Sequence, residues 1–286
     1  MLSLGTGANS KGSAPDCGLN NSMQIVKDSD ITLFSRYECK YVVSPLVVPE
    51  IREFLRPFVR PDAFAARRNG YRYPICSLYL DSEGLLLYQQ TVGGEKNRFK
   101  LRARTYSDDP DRPVYVEVKS KLNSIVKKRR ACIGQDAARA LLDDAMHTVA
   151  LPTAGDAAAD LAYFQHHVAL TGARPVVRVR YMREAYESRG GDPVRITIDT
   201  ELMHAITFDS NLSHADGRWI TTPTDGTILE IKFTERFPDW IEDMVRLFGL
   251  KQQSVPKYVM CLDDALAGNH GSVLSISGLT LPPLRI

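Results

Sequence analysis

Residues 97–106 constrain this chain more than any other stretch. Side chains alternate across a strand, so a strand from Asn97 to Tyr106 sets Arg98, Lys100, Arg102 and Arg104 on one face and Phe99, Leu101 and Ala103 on the other. Four like charges in a row repel one another. Such a strand settles where its cations meet anions and its apolar face meets a core. The same division recurs in Tyr115, Glu117, Lys119 and Lys121 against Val114, Val116 and Val118, and in Arg36, Glu38 and Lys40 against Tyr37, Cys39 and Tyr41. It returns in Arg195, Thr197 and Asp199 against Val194, Ile196 and Ile198, and in Glu230 and Lys232 against Leu229, Ile231 and Phe233. Arg178 and Arg180 form one more pair.

The whole chain carries 36 Lys and Arg against 34 Asp and Glu, a net charge of +2. General attraction to polyanions is thereby excluded, and any anion site must come from where the charges sit. The polar strand faces hold twelve cations (Arg36, Lys40, Arg98, Lys100, Arg102, Arg104, Lys119, Lys121, Arg178, Arg180, Arg195, Lys232) against four carboxylates (Glu38, Glu117, Asp199, Glu230). One arrangement is a half-buried antiparallel sheet with its polar side in water. The other is a sheet curled into a barrel with a charged interior, its apolar exterior covered by helices. The local excess of cations and the number of apolar faces to be covered favour the barrel, with the open sheet as the alternative.

At 286 residues and 44% hydrophobic content the chain can bury a sizeable core, which excludes a disordered or disulfide-stapled miniprotein. Alternation places strands at Arg36 to Val43, Ile75 to Ser82, Asn97 to Tyr106, Val114 to Lys121, Ile125 to Ile133, Val176 to Ala185, Val194 to Thr200 and Thr227 to Phe233. Helical spacing places helices after a Ser44 cap through Leu55, at Gln135 to Met146, at Ala157 to Leu170, and at Pro238 to Phe248 with Trp240, Met244, Val245 and Phe248 on one face. Strands separated mostly by turns, with helices between blocks, give an antiparallel α+β fold. Gly, Ser and Asn-rich composition marks 1–31 as a flexible leader, unlike a signal peptide, and 268–286 as a similar tail, around a domain at 32–267. Five scattered cysteines without a CxxC pair fit reduced thiols in the cytoplasm. No apolar run approaches the ~20 residues of a membrane span, so membrane attachment would need a partner protein.

A channel lined by Arg and Lys suits several phosphates, because guanidinium groups offer permanently charged bidentate donors. A carboxylate among those cations serves as an ion-pair partner, or with phosphate oxygens it holds a divalent cation. There is no P-loop, GxSxG or HExxH motif, and His166-His167 reads as a helix-surface feature. Nucleic acid is the least favoured partner, since aromatic residues do not interleave with the basic face.

Glu-x-Lys occurs three times on strands, as Glu38-Cys39-Lys40, Glu117-Val118-Lys119 and Glu230-Ile231-Lys232. With Leu-Arg-Ala-Arg at 101–104, Val-Lys-Lys-Arg at 126–129, Val-Arg-Ile-Thr-Ile-Asp at 194–199 and Val-Pro-Lys-Tyr at 255–258, in this order, the chain resembles the VTC domain over roughly 34–262. That is the polyphosphate polymerase branch of the triphosphate tunnel metalloenzymes. The resemblance implies an antiparallel β-barrel tunnel with a charged interior, flanked by helices. It also implies transfer of the terminal phosphoryl group of a nucleoside triphosphate such as ATP to a growing polyphosphate chain, assisted by Mn²⁺ or Mg²⁺. By motif, the phosphate-binding positions are Lys40, Arg102, Arg104, Lys119, Lys127, Arg183, Arg195 and Lys257. Of these, Lys40, Arg102, Arg104, Lys119, Arg195 and Lys257 are also taken as catalytic, with Glu230 and Glu38 as metal ligands and Asp199 as a further carboxylate nearby. Placing Arg183 on the same face as Arg178 and Arg180 would require a bulge. Hydrolysis of triphosphates on the same scaffold, or polyphosphate binding without turnover, are the competing readings.

Overall fold

The computed structural model describes residues 36–109, 111–123, 125–143, 156–190, 193–215, 217–234 and 236–268. Ten strands form one antiparallel sheet: β1 (Arg36–Val43), β2 (Val59–Pro61), β3 (Arg72–Asp81), β4 (Asn97–Thr105), β5 (Val114–Leu122), β6 (Ile125–Ile133), β7 (Arg174–Ser188), β8 (Val194–Ile206), β9 (Ile220–Thr221) and β10 (Thr227–Thr234). The order is β1-β10-β8-β7-β3-β4-β5-β6, with β2 added to β7 and β9 to β8. Six helices accompany it: α1 (Val48–Leu55), α2 (Leu86–Val92), α3 (Gln135–Asp143), α4 (Asp156–Thr171), α5 (Asp239–Leu247) and α6 (Lys257–Gly268).

The sheet curls, but its hydrogen-bonded ladder is not closed. Among the described residues the end strands β1 and β6 have no mutual pairing. Side chains bridge the interior instead, since the Lys119 ammonium of β5 lies 3.4 Å from the Glu38 carboxylate of β1. The outer edge of β1 is partly covered, because Tyr41 bridges to Gln252 and the Gln253 amide donates to the Lys40 carbonyl.

The apolar faces of β4, β5, β8 and β10 point outward under helices, as the sequence pattern required, whereas on β7 Val177 and Val179 face inward with Tyr79 and Tyr258. Leu101, Ala103, Val114, Val116, Val118 and Ala131 pack beneath α3 and α4 through Leu141, Leu142, Leu161, Phe164 and Val168. Ile196, Ile198, Leu229 and Ile231 pack beneath α1 and α5 through Ile51, Leu55, Ile241 and Met244. At roughly 25 cal/mol per Å² of buried apolar surface these two layers are the main source of stability. They also press the charged faces inward.

The strand expectations at Arg36–Val43 and Ile125–Ile133 match to the residue, whereas β7 and β8 run on past the expected ends. Ser44 does not cap α1. That helix starts at Val48 after Val47, with no side-chain cap and with a proline in its first turn, where a missing N–H costs nothing. β2, β9, α2 and α6 were not expected. The expected leader lies outside the described residues, as does the expected tail apart from Gly268, which ends α6. No helix among the described residues is long and apolar enough to cross a membrane.

Candidate functional site

The inner faces of eight strands enclose a lumen whose register can be followed residue by residue. On one side Glu38 stands opposite Lys232 and Lys40 opposite Glu230, with Lys232 in turn beside Arg195. On the other, Arg102 stands opposite Glu117, Lys100 opposite Lys119 and Arg104 opposite Tyr115. Lys128 and Arg130 of β6 line up with Lys119 and Glu117. Between these walls lie Tyr79 and Ser77 of β3 and Tyr181 and Arg183 of β7.

Four carboxylates organise the cations. Glu117, fully buried, takes Arg102 and Lys128 at 2.6 Å each and Arg130 at 3.5 Å. Burial would raise its pKa, but Arg102, Arg104 and Lys128 hold it well below the usual carboxylate range. Asp199 accepts 2.6 and 2.7 Å bonds from Arg183 and pairs with Lys257 at 2.8 Å. Glu230 meets Lys232 at 2.5 Å and Lys40 at 3.6 Å, while Glu38 meets Lys40 at 2.8 Å and Lys232 at 3.7 Å. The Glu230 pKa too would be raised by burial, but Lys232, Lys40, Arg183 and Lys257 hold it low.

The cations outnumber these partners. Among the described residues Lys100 and Arg104 have no carboxylate within ion-pairing distance, and Arg104 donates to the Ser77 hydroxyl at 3.0 Å. Burial, reinforced by Lys119, Lys40 and Arg102, brings the Lys100 pKa down to about 8. Burial takes Lys128 to about 7, with Glu117 opposing. Tyr79 would be pushed up by burial, but Arg102, Arg104 and Lys100 bring its phenol down to about 8, and Arg102 donates to its oxygen at 3.3 Å. A buried chamber that depresses lysines and a tyrosine alike carries a standing deficit of anion.

α6 closes one end of this lumen. Tyr258 stacks on Tyr79 with ring centroids 4.8 Å apart, and its hydroxyl donates to the buried Asp81 carboxylate at 2.6 Å. Lys257, at the first position of α6, lies 4.9 Å from the Tyr181 ring centroid while reaching Asp199. Away from α6, Tyr73 lies near Arg183, Arg195, Asp62 and Tyr106.

The structure brings together Lys40, Arg102, Arg104, Lys119, Arg183, Arg195, Lys257, Glu38 and Glu230 from the sequence-derived set. Arg195, away from α6, pairs with Asp62 at 2.5 Å. Lys127 is not brought in, because it lies opposite Ser120 and so on the other face from Lys119 and Lys128. Its neighbour Arg129 shares that outer face, pairing with Asp160 of α4 at 2.6 Å and lying over the Tyr163 ring. Arg178 and Arg180 also lie outside, donating to the Ser213 and His214 carbonyls and flanking Trp219. No bulge is needed to bring Arg183 inward, since plain alternation along β7 separates it from Arg178 and Arg180. The bulge lies in β8, where Glu201 has φ +55° and the pairing shifts between Arg180 and Met182, so that Asp199 and Leu202 both point inward. Tyr79, Tyr181 and Asp62 escaped the sequence reading, whereas Lys128 and Arg130 belong to a basic run of which only Lys127 entered the expected site. For the last two the signal was available, because pairing Leu122 with Ile125 fixes the register and sets Arg130 opposite Glu117.

A family model for the VTC domain matches residues 35–265, and with them every strand of the lumen. The chain belongs to the VTC domain family. This VTC domain is similar in structure to a putative adenylate cyclase from Bacillus halodurans, at 12% identity and a TM-score of 0.45 over 77% of this chain and 92% of that one. It is likewise similar to the PH1819 protein from Pyrococcus horikoshii OT3, at 14% identity and a TM-score of 0.41 over 81% of this chain and 99% of the other. No curated protein matches the chain. Family membership makes this VTC domain a tunnel enzyme of the nucleotide- and polyphosphate-handling kind, a class that in general depends on a divalent metal.

Among the described residues no cluster of three His, Cys, Asp or Glu forms a complete metal cage in this VTC domain. Glu230 and Glu38 nonetheless fit a hard cation held jointly with phosphate oxygens, which takes only one or two carboxylates from the protein. They are neighbours sharing Lys40 and Lys232, and against burial and mutual repulsion the charges of these lysines hold both carboxyls below the usual carboxylate range, so both are ionised at neutral pH.

Proposed function

We propose that this protein is a polyphosphate polymerase of the cytoplasm, which transfers the terminal phosphoryl group of a nucleoside triphosphate to the end of a polyphosphate chain. The observation that carries the reading is the enclosed surplus of cations around Lys100 and Arg104, which a run of phosphates would neutralise. In the reaction a terminal polyphosphate oxygen attacks the γ-phosphorus, the bond from that phosphorus to the β–γ bridging oxygen breaks, and the nucleoside diphosphate leaves. Such a transfer asks for positioning and charge neutralisation, with no protein nucleophile. Arg102, Arg104, Lys119 and Lys100 would hold the phosphates along one wall, and Lys40, Lys232, Arg195 and Arg183 along the other. Mn²⁺ or Mg²⁺ at Glu230 and Glu38 would supply charge neutralisation of the bridging oxygens.

The test is incubation of the protein with ATP and Mn²⁺, with polyphosphate followed on a stained gel and orthophosphate assayed in parallel. A polymer ladder that disappears in Glu230→Gln supports the reading. Orthophosphate without polymer replaces it by triphosphate hydrolysis, and neither product replaces it by a binding module.

A further inference from the structure

We infer that a pocket at the mouth of the tunnel away from α6 holds the nucleobase of the incoming nucleoside triphosphate. The inference deepens the proposed function and rests on it. A cavity of about 240 Å³ lies beside the mouth, walled by Phe64, Tyr106 and Tyr115 and rimmed by Arg67, Arg68 and Arg112. The three arginines are exposed, while the three rings are half-buried. The rings form a cluster, with centroids 5.8 Å apart for Phe64 and Tyr106 and 5.7 Å for Tyr106 and Tyr115.

The pocket is continuous with the phosphate path. Tyr106 is held below the ordinary tyrosine pKa, which burial would raise, by Arg104 and Arg130, and Arg104 also hydrogen-bonds to it. The Arg130 guanidinium lies 3.6 Å from the centroid of the Tyr115 ring. Arg104 lies at the end of β4 and Tyr106 just past it, two residues and about 7 Å further along extended chain, leaving room for a ribose between a phosphate at Arg104 and a base at Tyr106.

The chemistry of the wall selects the occupant. Phosphate oxygens want donors on every side, as the lumen provides, whereas here three aromatic rings form the wall, with Arg67, Arg68 and Arg112 at the rim and Arg130 against Tyr115. A base presents a flat face for the rings and edge acceptors for guanidinium groups. Stacking of this kind tolerates any base, so the pocket distinguishes a nucleotide from a bare phosphate chain without choosing among nucleotides.

Metal-free calorimetry with ATP and with tripolyphosphate, on the wild-type protein and on Phe64→Leu and Phe64→Tyr, tests the inference. Phe64→Leu should weaken ATP binding about tenfold, the usual size for a lost base–aromatic stack, Phe64→Tyr should keep it, and both should leave tripolyphosphate binding unchanged. Equal losses for both ligands, or no loss for either, would overturn it. Failure of the wild-type protein to bind tripolyphosphate at all would instead bring down the tunnel reading, and this inference with it.

Discussion

Arg183 of β7 and Asp199 of β8 lie opposite each other in the ladder and share two hydrogen bonds of 2.6 and 2.7 Å. Lys257 completes the group from α6, so one carboxylate ties the lumen wall to the helix that plugs it. In Asp199→Asn two enclosed cations lose their shared anion. Breaking a buried pair in this way costs about 3 kcal/mol. A bound polyanion would restore the missing charge. Tripolyphosphate should therefore raise the melting temperature of Asp199→Asn by more than it raises that of the wild type, and thermal unfolding with and without the ligand measures both.

Glu38 and Glu230 share two lysines, yet only Glu230 is almost fully enclosed, its side chain 8% exposed against 27% for Glu38. Glu230 is thus the stronger candidate ligand. Glu230→Gln should abolish turnover, while Glu38→Gln should raise the Mn²⁺ concentration needed for half-maximal rate by about 10- to 100-fold, the range seen when a supporting group is removed. Metal titrations of initial rate distinguish the two.

Neighbours in sequence, Lys127 and Lys128 face opposite sides of β6. Lys128→Met should weaken tripolyphosphate binding by about tenfold, since one charge-assisted hydrogen bond contributes about 1.5–3 kcal/mol. Lys127→Met should leave it unchanged. Calorimetry on the pair checks which face is the lumen.

Lys100 and Lys128 titrate near pH 8 and 7, far below the lysine reference of 10.5, both because burial disfavours the ammonium. Phosphate returns their protons. Binding of tripolyphosphate at pH 8.5 should take up protons, and affinity should fall as pH rises through 8, as calorimetry in two buffers of different ionisation enthalpy will read. The ligand-free protein behaves in the opposite sense. Its unfolded chain binds more protons at Lys100 and Lys128 than the folded one does, so its stability should increase with pH between about 7 and 9; above that window the buried thiols of Cys76 and Cys261, pushed up from 9.0 to about 12, contribute with the opposite sign. Tyr79, at about 8 against a reference of 10.0, adds a contribution of the same sign as the two lysines.

Much of this arrangement is legible in the strands themselves. Alternation assigned Arg102, Arg104, Lys119, Lys40 and Glu230 to common faces, because the period of a strand is local and needs no knowledge of the rest of the chain. It does not say which face looks inward. Arg178 and Arg180 carry the same stripe as the lumen strands, but the segment around Ser213, His214 and Trp219 covers them from outside, a long-range fact with no local signature. α6 was missed for a related reason. Its start coincides with the Val-Pro-Lys-Tyr motif, and its buried residues Tyr258, Val259, Cys261, Leu262 and Ala265 do follow a helical spacing. A helix that enters a charged chamber mixes apolar and polar positions, however, which blurs the stripe a surface helix shows.

The run from Lys127 to Arg130 lies on the end strand β6, whose far side has no pairing partner among the described residues. Exposed strand edges invite the strands of other molecules, and lysines and arginines along them are a common defence. Every successive position of this run carries a cation, whichever face it points to, so an approaching strand meets repulsion at each step. The residues that charge the inside of the tunnel therefore also protect its unsealed margin, and the sheet can stay unlaced there without becoming a seed for aggregation.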